Sequence, residues 1–92
     1  MRINYQYNEE EVILTEVPNG DDIEFSLILL NDALKQKLIV IRDYFNSNNI
    51  ETDILVYKHP NNHYQIIVRK DFYEEFILQL FKQQLLTELS WI

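Results

Sequence analysis

The chain has 92 residues, 15 acids against 8 bases for a net charge of −7, and no cysteine. A length of this order supports one core, and an apolar share of 47% excludes a disordered chain. The absence of cysteine excludes disulfides and thiolate metal sites, while the negative field argues against direct binding to nucleic acid or an anionic membrane.

Ile3, Tyr5 and Tyr7 alternate with Asn4, Gln6 and Asn8, the period-two pattern of a short strand with one apolar face. Glu9-Glu10-Glu11 breaks that phase and reads as a turn or bulge. Val12 to Val17 is rich in β-branched residues and predicts a second strand. Asn19-Gly20 follows, a strong hairpin signal because both residues accept the positive φ of a type I′ turn. Ile23 to Leu27 alternates again as the return strand.

At Asn31-Asp32 the period changes to that of a helix, and either residue can cap it. Leu34, Leu38, Ile41 and Phe45 fall at i, i+4, i+7 and i+11, a single apolar stripe. The helix is expected to end in the Asn46-Ser47-Asn48-Asn49 run. Thr52 to Lys58 and Tyr64 to Arg69 predict a second strand pair around the turn at His59-Pro60-Asn61-Asn62-His63. Asp71 with Glu74 three residues on has the spacing of a capping box for a second helix. Phe72, Phe76, Ile77, Leu80 and Phe81 form its apolar side, and Leu85, Leu86 and Leu89 are expected to continue it toward Trp91 and Ile92.

The expected fold is therefore α+β, an antiparallel sheet of four to five strands with two helices on one face, in the order (β)ββα-ββα. It fills residues 1–92 as a single domain of two units, 1–49 and 50–92, whose shared Pro-Asn turns suggest an internal pseudo-repeat. This order of elements resembles the core of the acidic secretion-chaperone and YbjN-like folds, without the N-terminal helix those proteins carry.

The functional inventory is short. With no cysteine, a single glycine and serines outside any glycine-rich elbow, neither nucleophilic catalysis nor a phosphate-cradling loop is expected. The chain reads as non-enzymatic and without a cofactor. Asp53, set in a strand among apolar residues, is the acid most able to carry a shifted proton affinity. Residues 1–34 hold eight acids and one base, whereas residues 35–92 hold seven of each. Glu9, Glu10, Glu11, Glu16, Asp21, Asp22 and Glu24 thus form the expected surface for a basic protein partner. The apolar chain end, Leu85, Leu86, Leu89, Trp91 and Ile92, is the expected face of a homodimer. A weaker alternative is a divalent metal held by His59 and His63 with Asp21 and Asp22, should the two hairpin tips converge. The lack of stapling cysteines and of a long apolar start favours the cytoplasm.

Overall fold

The computed structural model describes residues 3–46 and 54–91. Alternation of apolar and polar residues builds four strands into one antiparallel sheet. These are β2 (Val12–Asn19), β3 (Asp22–Leu29), β4 (Ile54–His59) and β5 (His63–Arg69), in spatial order β2-β3-β5-β4. Each consecutive pair is a hairpin, and the two hairpins join through β3 and β5, with Asp22 opposite Arg69 and Ile28 opposite His63. Both helices, α1 (Lys35–Asn46) and α2 (Tyr73–Lys82), pack on one face. The architecture is the expected α+β one, and each unit contributes two strands and a helix led in by a three-residue 3-10 turn.

The core follows from the two periodicities. Phe25, Leu27 and Leu29 of β3 and Tyr64, Ile66 and Val68 of β5 point to the helical face. They meet Leu38, Ile41 and Phe45 of α1 and Phe76, Ile77 and Leu80 of α2 in one buried cluster. The predicted stripe Leu34, Leu38, Ile41 and Phe45 is buried throughout. Phe25 lies at the centre, its ring 4.8 Å from Phe76 and 5.9 Å from Tyr73.

Four local expectations are corrected. The first hairpin turns on Gly20 and Asp21, because Asn19 pairs with Asp22 across the strands. Gly20 takes φ +61 and Asp21 does not share it, the pattern of a type II′ rather than a type I′ turn. Asp71 forms no capping box. It sits within the 3-10 turn Lys70–Phe72, and no side chain caps either that turn or α2. Strand β1 (Ile3–Gln6) does not join the main sheet but pairs with a strand at the chain end, β6 (Glu88–Trp91), in a separate two-stranded sheet.

The fourth concerns the tail, which does not prolong α2. Gln84 enters the left-handed region at φ 62. The Gln84 N–H then donates to the Phe81 carbonyl and the Leu85 N–H to the Leu80 carbonyl, both at 2.9 Å. This is the Schellman closure of a helix, with apolar partners one turn apart in Leu80 and Leu85. The chain reverses, Thr87 N–H donates to Gln6 C=O at 2.7 Å, and the β1–β6 ladder begins. At the start of α1 the sequence reading holds. Asn31 caps its lead-in turn, the side-chain Oδ1 accepting the Ala33 N–H at 3.0 Å.

Candidate functional site

The seven predicted binding carboxylates divide along the first hairpin. Glu9, Glu10 and Glu11 are exposed together in the turn between β1 and β2. The turn is built by Asn8, whose carbonyl accepts the N–H groups of Glu11 and Val12, while its side chain accepts that of Glu10. Asp21 and Asp22 lie at the other end of β2, about 25 Å away by strand rise. There Asp21 shares an open hollow with Arg69, Lys70 and Asp71. The tip acids thus have bases beside them, whereas the charged residues of the β1–β2 turn itself are all acids. The two ion pairs among the described residues, Lys35–Asp32 and Arg42–Asp43, include none of the seven carboxylates.

Two of the seven are committed within the fold. Glu16 accepts from the Tyr5 hydroxyl at 2.8 Å and from the Tyr73 hydroxyl at 2.9 and 3.1 Å, so one carboxylate ties β1 and α2 to β2. Burial, reinforced by the Glu16 carboxylate, raises both phenols well above the ordinary tyrosine value. They stay protonated and donate at any physiological pH. Glu24 accepts from the Gln65 amide on the opposite face of the sheet.

Neither α1 nor α2 packs on that opposite face. Its rows across the strands read Val17, Glu24, Ile67, Leu55, then Thr15, Ser26, Gln65, Tyr57, then Ile13, Ile28, His63, His59. The polar groups of the inner strands are linked. Gln65 Oε1 lies 3.1 Å from His59 Nε2, and Ser26 Oγ lies 2.7 Å from His63 Nε2. The two imidazoles are directly opposite across the β4–β5 hairpin, with ring centres 5.2 Å apart. Ser26 and His63 touch, but a nucleophile also needs a third group to orient the base and donors for an oxyanion.

The four-residue metal alternative is corrected by the register. His63 lies opposite Ile28 and Asp22 opposite Arg69, six residues apart along β3, so the histidines and aspartates are separated by about 20 Å. The hairpin tips point to opposite ends of the sheet because β3 and β5 run antiparallel. Among the described residues, no three His, Asp or Glu side chains gather as a metal cluster.

The self-association surface also changes. Leu85 and Leu86 are 2% exposed, packed into the chain's own core by the helix closure, and are unavailable to a second copy. Leu89 is half-buried opposite Tyr5, and Trp91, opposite Ile3, is 49% exposed. Ile92 and Asp53 lie outside the described residues. Sequence reasoning missed the end of the sheet beside the acidic turn, where Leu30 is 51% exposed and its N–H bonds the Glu11 carbonyl at 2.8 Å. Asp32, one turn further on, is held below the usual carboxylate range by the Asn62 amide and by Lys35. Among the described residues, no helix is long and apolar enough to cross a membrane. No known protein family, curated protein or solved structure matches the chain.

Proposed function

We propose that the chain is a small acidic protein–protein interaction module, of adaptor, chaperone or inhibitor type, that engages a basic partner surface by binding rather than by catalysis. The observation that carries this reading is the β1–β2 turn, where Glu9, Glu10 and Glu11 are all exposed and, among the described residues, none is used in an internal ion pair. Exposed Leu30 and Ile13 flank that end of the sheet and supply apolar contact inside a charged rim. Glu16 and Glu24, bound to Tyr5, Tyr73 and Gln65, belong to the scaffold in this reading. Asp21 and Asp22, beside Arg69 and Lys70, contribute less field. The cytoplasm is the setting we propose, since the fold uses no cysteine.

Complementary charge speeds encounter and is screened by salt. Zero-length carboxyl-to-amine cross-linking in the expressing cell identifies the partner and maps the linked residues. Cross-links should fall on Glu9, Glu10 or Glu11, and the association rate with the purified partner should drop at least about tenfold between 20 and 300 mM salt. Cross-links that avoid this turn, or a rate unchanged by salt, would overturn the reading.

A further inference from the structure

On the helix-free face of the sheet, we infer that His59 and His63 form a two-imidazole site for a divalent transition-metal ion of the zinc, nickel or copper class. The site is distinct from the acidic turn and requires none of its carboxylates. A cross-strand pair brings the two rings together, His59 being directly opposite His63 at the end of a three-residue loop. The loop is held in shape by Asn61 and Asn62, at φ 65 and 59, and by the Asn62 amide donating to Asp32 at 2.7 Å. The backbone that carries both rings is therefore fixed at the loop as well as along the ladder.

The ring separation suits a shared ion. A metal about 2 Å from one nitrogen of each ring, along the ring axis, sits about 3.2 Å from each ring centre. Centres 5.2 Å apart fall within twice that distance, so one ion can reach both rings.

Each ring also has an outer polar partner of the kind that orients metal-binding imidazoles. The Gln65 amide donates to Glu24, which turns its carbonyl oxygen toward His59 Nε2. His59 Nε2–H is thereby the donor, and the lone pair is left on Nδ1. His63 Nε2 is engaged by Ser26 Oγ. Among the described residues, no hydrogen bond uses Nδ1 of either ring. Two nitrogen donors and no carboxylate select borderline metals over calcium or magnesium, which take oxygen ligands. Water fills the remaining positions.

The test is calorimetric titration of the untagged full chain with zinc or nickel alone, and with magnesium as the contrast. One zinc or nickel per chain should bind, and magnesium should not. His59→Gln and His63→Gln should each weaken binding by more than about tenfold, because losing a ligand costs at least as much as losing an outer partner. Gln65→Ala should weaken it by a smaller factor while leaving both imidazoles in place. Unchanged circular dichroism and thermal midpoint of the metal-free variants separate ligand loss from misfolding. Absence of binding in the native sequence, or binding undiminished in both histidine variants, overturns the proposal.

Discussion

Phe25→Ala is expected to lower the free energy of unfolding by about 3–5 kcal/mol, the range for removing a fully buried phenylalanine. Phe25 is 0% exposed and touches both layers, with Phe76 and Tyr73 against its ring. Phe76 in turn reaches Phe45 of α1, at 6.2 Å between ring centres. A void at Phe25 thus loosens the sheet from both helices. Total stability for 92 residues is about 5–14 kcal/mol, so the variant loses a large share of it. Urea unfolding followed by far-UV circular dichroism should show the midpoint falling by roughly 2–4 M. Ile13, 42% exposed on the helix-free face, is the control, and its change to alanine should cost less than about 1 kcal/mol. Equal costs at the two positions would contradict the assignment of the two faces.

A chain ending at Thr87 is expected to be less stable by about 2–4 kcal/mol, from lost ladder hydrogen bonds and the lost burial of Leu89. Residues Glu88–Trp91 form the whole of β6, and among the described residues β1 pairs with no other strand. Without β6, Ile3 and Tyr5 lose their cross-strand neighbours Trp91 and Leu89. Hydrogen exchange should show β1 amides losing protection first, and Tyr5 should loosen from Glu16. If the tail instead served a second copy, truncation would abolish a dimer and leave the monomer's stability intact. Sedimentation of both chains alongside the urea measurement distinguishes these outcomes.

Much of the fold was legible because the periodicities are clear. The strand pairs read from alternation, and the α1 stripe read from Leu34, Leu38, Ile41 and Phe45, all of which are buried. What escaped was set by local backbone choices or by long-range pairing. The end of α2 depends on Gln84 adopting a conformation that glycine or asparagine usually takes, so the residue type gave no warning. With that stop unread, Leu85 and Leu86 looked like surplus apolar surface, although they fill the core. The partnership of β1 with β6 joins the two ends of the chain, which no local pattern reveals. The site fared unevenly for the same reason. The acidic turn was read directly from Glu9, Glu10 and Glu11. Grouping them with Asp21 and Asp22 required the wrong geometry, because one strand separates the two sets along its full length. The His59–His63 contact depended on knowing that Pro60-Asn61-Asn62 closes as a three-residue loop.

The acidic turn is the centre of the functional proposal, and charge neutralisation tests it most directly. In Glu9→Gln, Glu10→Gln, Glu11→Gln the turn keeps its shape, since Asn8 and the backbone build it. Folding stability should move by no more than about 0.5 kcal/mol. The affinity of this triple variant for the cross-linked partner, measured at low salt, is the decisive quantity. A fall of at least about tenfold is predicted, equivalent to about 1.4 kcal/mol of binding free energy. An affinity equal to that of the native sequence would contradict the proposal that this turn is the binding face.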